Sequence, residues 1–338
     1  MTRSILRFAL ATLTPAILLA VGAIMGGAWI IAAVLYLTAL TSLLDRLFEF
    51  DAPASEARSD NALSLVLAFV HFALLPLMVW ALAGDILGPP EKVGLFFATG
   101  LWFGQVSNAN AHELIHRPGR LMHRLGMWVY ITLLFGHHTS AHVLVHHRYV
   151  ATAADPNTAR KGESLYRYVL RAWAGSFRDG YRAEAARLRK INRPAWRNPY
   201  LVYILGAVLY LNGAYLIGGP TALIAYAALC AYAQSQLLMS DYVQHYGLIR
   251  AQDTSGKPEP VAAKHSWNSP HWFSSALMLN ATRHSDHHAH PARPYPALTI
   301  PDNAPTLPRP LPVMASIALI PPLWRRMMDP RVDRWRDA

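Results

Sequence analysis

Nine histidines fall into three short runs and one isolated position. "HELIH" carries His112 and His116, "HVLVHH" carries His142, His146 and His147, "DYVQHYG" carries His245, and "HSDHH" carries His284, His287 and His288. Imidazole serves as an acid, a base or a metal ligand. Spacing i, i+4 sets two of them on one helix face a turn apart, a separation that suits a single ion. One HxxxH pair is commonplace; three such runs together predict a metal site. A structural zinc site closes on about four ligands, usually with cysteine among them, so nine imidazoles suit two ions with four or five nitrogens each. The only cysteine, Cys230, lies inside an apolar segment, which excludes a disulfide framework and any iron–sulfur or rubredoxin-type cluster within this chain. Imidazole accepts zinc, copper, iron and nickel alike, so the ligands alone leave the metal open.

The elements that must position these side chains are apolar. Hydrophobic residues make up 53% of the 338 and charged residues 15%, against roughly 25% charged in ordinary globular domains. Long apolar runs recur, several near the roughly 20 residues that cross a bilayer as a helix. The expected fold is an all-α integral membrane protein of a single domain, 1–338, with about six transmembrane helices near 8–25, 28–45, 62–84, 93–112, 199–217 and 221–243. The first run is not read as a cleaved signal, because a second apolar run follows at once beyond a turn at Gly26-Gly27. The remaining segments, 113–198 and 244–338, are expected in the cytoplasm as a polyhistidine region.

Sidedness follows from the basic residues. With both termini inside, the external loops are Gly26-Gly27, Gly84 to Lys92 and Gly218 to Pro220, and of 31 Lys and Arg residues Lys92 alone falls outside. That asymmetry obeys the positive-inside rule. The formal charge of +11 is therefore read as a topology signal, with no nucleic-acid partner. "LMHRLGMWVYITLLFG", Leu121 to Gly136, is short and begins with His123 and Arg124. A crossing there would put histidines on opposite membrane faces, so an interfacial or re-entrant helix is expected. The Arg-rich stretch from Tyr166 to Arg197 reads as a cytoplasmic amphipathic helix on lipid headgroups, and "VMASIALIPPLW" (Val313 to Trp324) is too short and broken to span. This topology brings the nine histidines to one membrane face, while His71, His123, His137, His138, His265, His271 and His290 are left as structural or solvated. A dinuclear polyhistidine site at a membrane surface suits oxygen activation on an apolar substrate drawn from lipid, and iron is favoured on that ground.

The spacings HxxxH, HxxxHH and HxxHH resemble the histidine boxes of the membrane fatty-acid desaturase and hydroxylase superfamily. "HELIHR", "HYGLIR", "RHSDHHAHPARPY" and "DPNTARKGESLYRY" are similar to the signature motifs of integral-membrane alkane 1-monooxygenases, from about Ala111 to Tyr295. The resemblance implies a non-haem di-iron centre, two Fe held by the nine histidines. It would insert one atom of O2 into a terminal methyl C–H bond of a medium- to long-chain n-alkane, in a bacterial inner membrane. It implies electrons from NAD(P)H through a reductase and a rubredoxin or ferredoxin, partners this chain would have to borrow. The Arg-rich face offers an acidic carrier a docking surface, or serves only topology and lipid. Two positions depart from the alkane pattern, where glutamate is usual: Ala141 before the second box and Gln244 before the isolated histidine. The xylene monooxygenase branch resembles the chain at both places, whereas the third box is the alkane version. Acidic partners normally orient metal-bound imidazoles, and Glu113, Asp155 and Asp286 are the candidates for that role, unless each simply caps a helix.

An alkane has no polar handle, so its specificity must come from the length and width of an apolar channel. Trp29, Tyr36, Trp80, Phe97, Trp102 and Phe103 are candidates to line or block it, or are plain helix packing. A desaturase or a sterol- or carotenoid-type hydroxylase is a further alternative. A metal transporter fits poorly, since transporters place ligands at the bilayer midplane on broken helices.

Overall fold

The computed structural model describes residues 3–47 and 61–336. Among them the regular elements are helices, and the extended segments form only isolated bridges, Gln252 with Pro258 and Asn268 with Thr306. Helix α1 (Arg3–Met25) turns into α2 (Ala28–Leu47) through Gly26 and Gly27. Both glycines have positive φ, 64° and 58°, a backbone that side-chain-bearing residues enter only with strain. Helix α3 (Asn61–Ala83) leads to a turn and then to α4 (89–115), a continuous helix about 40 Å long. Pro89 and Pro90 open α4, where a missing N–H costs nothing. The Glu91 carboxylate accepts from Gly88 N (2.8 Å) and Gly27 N (2.7 Å), tying two turns together.

The stretch Tyr200–Gln244 is 45 residues long and would extend about 67 Å if straight. It is not straight, because Gly218 and Gly219 leave helical geometry, the latter at φ 64°. Gly206 packs on Ile131 while the Tyr226 hydroxyl donates to the neighbouring Thr132 carbonyl at 2.6 Å. Residues twenty apart thus meet adjacent partners, so the chain reverses and forms two helices, α8 (200–217) and α9 (220–244). Gly218 lies against Ala83 at the end of α3. All three expected external turns therefore gather at one end of the bundle, and α4 and α9 run from that end to His112 and His245. Among the described residues four helices are long and apolar enough to cross a membrane, the fourth being the double-length Tyr200–Gln244. The outer faces of α1, α2 and α8 expose Leu10, Ile17, Ile31, Leu209 and Leu216, an apolar exterior that fits a lipid solvent.

Helix α5 (Arg120–Thr132) dips into this bundle. Its last residue, Thr132, bonds His71 halfway along α3, and Leu134 (φ 55°) then reverses the chain into α6 (138–149). The segment is re-entrant: it leaves the histidine end and returns to it. Helix α7 (Leu165–Lys190) is capped by Ser164 and buries Leu165, Tyr168, Ala172 and Leu188, while its arginines other than Arg171 face outward. Four short or basic helices follow: α10 (Trp272–Leu277), α11 (His284–Ala289), α12 (Leu311–Ala318) and α13 (Pro321–Arg336). The Asp45 carboxylate near the end of α2 accepts from Phe273 N and Ser274 N at 2.8 and 3.0 Å, which pins the start of α10 to the bundle.

Candidate metal centre

The nine histidines meet, and they divide unequally. His112, His116, His142, His147 and His287 form one group and His146, His245, His284 and His288 another, the ligand atoms of each lying within 4.8 Å of one another. The sequence leaves this division open, and at the second box the i, i+4 pair His142 and His146 is split between the two groups. Residues His142–His146 form a π-helical turn, in which i and i+5 align in place of i and i+4. His142 therefore pairs with His147 (Nε2 to Nε2, 2.9 Å), and His146 turns to the rings of His245 and His288. In α11 the ordinary helix keeps His284 with His288 and sends His287 to the five-membered group.

The donor set fits metal ions and little else. His284 Nε2 lies 2.8 Å from His245 Nε2 and 3.1 Å from His288 Nε2, and His147 Nε2 lies 2.9 Å from His142 Nε2 and 3.1 Å from His287 Nε2. An imidazole nitrogen carries one in-plane lone pair or one hydrogen, so it can satisfy one such neighbour and not two. A cation at the centre takes every lone pair at once. Nitrogens bound at right angles at about 2.1 Å lie about 3.0 Å apart, the separation seen. The Nε2 atoms of His116 and His146 are buried without a hydrogen-bond partner in the protein. Burial lowers His116 and His284 to about 3, so both are neutral and free to donate a lone pair.

His146 differs. Burial, the largest influence, favours its neutral form, but the Asp155 charge and hydrogen bond outweigh it and raise its pKa. Asp155 Oδ2 sits 2.8 Å from His146 Nδ1 and takes a second bond from Thr158, while Oδ1 accepts from Asn157 N. Glu113 and Asp286 do other work. Glu113 holds Arg117 and the backbone N–H of Tyr295, and Asp286 holds Arg293, His290 Nδ1 and Thr299 N. Both clamp the chain that follows α11 over the centre. The motif residues without histidine are scaffold of the same kind: Tyr246 hydroxyl donates to Asp329 and accepts from Gly162 N, and Gly247 N donates to Ala159 O. Sequence reasoning missed Asp241, which is buried, accepts from Asn157 Nδ2 at 2.7 Å and borders the pocket described below. An acid inside an apolar helix, one turn before His245, was the available signal.

Six of the seven remaining histidines are held by local partners. His71 bonds Ser107 and Thr132, His123 bonds Ile115 O, His137 lies near Ser176, His265 takes Ala262 N and Glu259, His271 meets Ser269, and His290 meets Asp286. His138 is the exception. It stacks on Phe135, lies 5.0 Å from the His142 ring, and faces a pocket with His112, His142 and His284. Gly104, Asn108 and Ala109 of α4, Gln236, Leu237 and Gln244 of α9, Met278, Ala281, and Leu311 and Ala315 of α12 complete the wall. None of the six bulky residues expected at a channel lines it. Trp102 and Phe103 are buried in the bundle, Trp29, Trp80 and Phe97 face outward, and the Tyr36 hydroxyl bonds Leu10 O. Small residues make the space, and the large ones pack the helices around it.

A helical membrane protein with two imidazole groups at one end of its bundle, both opening on one largely apolar pocket, is the class these features define. The fatty acid desaturase family model matches residues 90–303, more than half of the chain. Over 319 residues the chain is 33% identical to alkane 1-monooxygenase 1 of Pseudomonas aeruginosa, covering 90% of this chain and 83% of that protein. It is 32% identical over 307 residues to an alkane 1-monooxygenase of Pseudomonas putida, covering 88% and 76%. It is also 28% identical over 257 residues to the hydroxylase component of a xylene/toluene monooxygenase of Pseudomonas putida, covering 74% and 67%. The chain belongs to the alkane 1-monooxygenase family, within the desaturase superfamily, and is a monooxygenase.

Proposed function

We propose that the protein hydroxylates the terminal methyl group of medium- to long-chain n-alkanes to primary alcohols. One atom of O2 enters the C–H bond, and the other leaves as water with two electrons and two protons. His112, His116, His142, His147 and His287 hold one iron and His146, His245, His284 and His288 the second. The observation that carries the reading is the pair of unequal histidine groups opening on one pocket. The bound irons supply the activation of O2. The protein's own residues do the rest. Asp155 keeps the His146 proton on Nδ1 and leaves Nε2 to the metal. Ala109, Leu237, Met278, Leu311 and Ala315 hold a substrate by shape and exclude water from the reacting end.

In this reading the single domain crosses a bacterial inner membrane six times, at 8–25, 28–45, 62–84, 93–112, 199–217 and 221–243, with the histidines and both termini in the cytoplasm. The gathering of three turns at the opposite end supports this. Electrons arrive from NAD(P)H through a reductase and a rubredoxin or ferredoxin, for which the exposed arginines of α7 and α13 offer an electropositive approach. Hydroxylation of an aromatic methyl group is the second reading, because Ala141 and Gln244 follow the xylene branch and Gln244 lines the pocket.

The test supplies membranes, a reductase and rubredoxin with octane, dodecane, hexadecane and p-xylene side by side. Terminal alcohols from the alkanes are expected. Benzylic alcohol as the main product would transfer the assignment to the aromatic branch, and no product from a protein with two irons bound would overturn both.

A further inference from the structure

The pocket beside the histidines is not uniformly apolar. On α4, Gln105 and Asn108 line it, followed by Ala109 and, one turn beyond Asn108, by His112. His138 faces it from α6. Apart from the nine metal-binding imidazoles, three buried atoms in this wall have no hydrogen-bond partner within the protein: Gln105 Oε1, Asn108 Oδ1 and His138 Nδ1. Asn108 and His138 are 4% and 2% exposed. The Asn108 amide is fixed in orientation, because its Nδ2 donates to Gly104 O at 3.1 Å and to Ala233 O at 2.9 Å. A flipped amide would set its oxygen against two carbonyl oxygens, so Oδ1 is the atom left over as an acceptor. Tyr130 braces both residues: its hydroxyl donates to Asn108 O at 3.2 Å, and its ring stands edge-on to His138 at 4.9 Å.

Buried acceptors without a donor are costly, and a hydrocarbon cannot relieve them. A hydroxyl can. We propose that this wall is a hydroxyl-binding subsite, in which Asn108 Oδ1, with Gln105 Oε1 and His138 beside it, receives the O–H of a primary alcohol. The alkyl chain of that alcohol lies along Leu237, Leu311 and Ala315. The proposal rests on the reading of the pocket as the alkane site. One helical turn, a rise of about 6 Å, separates Asn108 from His112, so the hydroxyl is held close to the centre where it would be formed. The product then binds more tightly than the alkane it came from, and its departure requires loss of this hydrogen bond. Added alcohol competes with alkane for the same space.

The experiment measures equilibrium binding of radiolabelled 1-dodecanol and of radiolabelled dodecane to the full chain in nanodiscs, corrected against protein-free nanodiscs, with iron content determined for every sample. The wild-type protein is expected to prefer the alcohol. In Asn108→Leu that preference falls about tenfold, the worth of one buried hydrogen bond, while dodecane binding stays within about twofold. Asn108→Leu also removes two bonds to backbone carbonyls, so Gln105→Leu, which removes none, is the second variant. Its preference falls roughly threefold, as for a weaker contact, and it decides the matter alone if Asn108→Leu loses iron. An alcohol preference unchanged in an iron-replete Gln105→Leu and Asn108→Leu overturns the subsite and assigns these atoms to water. Saturable binding of neither compound overturns the alkane pocket itself.

Discussion

Replacing Asp155 by asparagine tests how one carboxylate sets the affinity of one ion. In the folded protein Oδ2 lies 2.8 Å from His146 Nδ1, and Oδ1 accepts from Asn157 N at 3.0 Å. Asparagine has nearly the same shape, so packing is preserved. Its oxygen must stay with Asn157 N, which leaves the NH2 group facing His146 Nδ1. That nitrogen then becomes an acceptor and the ring proton moves to Nε2, the atom needed by the metal. A hydrogen bond to a charged partner is worth about 1.5–3 kcal/mol, or about 10- to 100-fold at roughly 1.4 kcal/mol per decade. The outer partners of metal-bound histidines contribute a similar range. Asp155→Asn should therefore release iron from the four-histidine group at a chelator concentration about 10- to 100-fold lower than wild type, while the five-histidine group keeps its ion. Iron per chain would be followed by mass spectrometry through a chelator titration, with thermal unfolding as the control for folding. If a folded variant gave up both irons at the wild-type chelator concentration, the orienting role of Asp155 would be refuted.

Other substitutions separate the groups and the pocket. His287→Ala and His288→Ala are adjacent in sequence but draw on different groups, so each should lose about one iron and reduce turnover by more than about 100-fold, and the iron that remains should differ between them spectroscopically. His71→Ala should keep both irons. It leaves Ser107 and Thr132 without their buried partner, which lowers stability by about 2–4 kcal/mol, readable in a denaturation curve. Ala315→Phe should fill the pocket next to Leu311 and shorten the longest alkane accepted by several carbons, as read from alcohols formed from a mixture of chain lengths.

Much of the site was legible because histidine is both rare in apolar helices and periodic when it binds metal. Two of the three turns were legible for a similar reason: Gly26-Gly27 and Gly218-Gly219 interrupt apolar runs, and Gly26, Gly27 and Gly219 supply the positive φ that closes each reversal. The division of histidines between the groups was not legible. It depends on a π-helical turn over His142–His146, which HxxxHH does not signal, and on α11 facing two groups at once. In the sequence Asp155, Glu113 and Asp286 are equivalent candidates for an orienting acid, and only their hydrogen bonds separate them: Asp155 faces His146 Nδ1, whereas Glu113 and Asp286 accept from backbone N–H groups elsewhere. Their partners, Tyr295 and Thr299, come from a segment whose path no local pattern reveals. The lining of the pocket was not legible either. Bulk alone does not separate a channel wall from helix packing, and the space beside the histidines is made in part by Gly104, Ala109, Ala281 and Ala315, residues recognised only once their neighbours are known.

The unequal grouping gives the most direct test of the central claim, that two irons are held by five and four histidines. Protein enriched in iron-57 and kept in a lipid bilayer would be examined by Mössbauer spectroscopy alongside total iron per chain. Two irons per chain, giving two resolved doublets of equal area, are expected from two unlike ligand sets. A single iron per chain, or one doublet from two indistinguishable ions, would contradict the account.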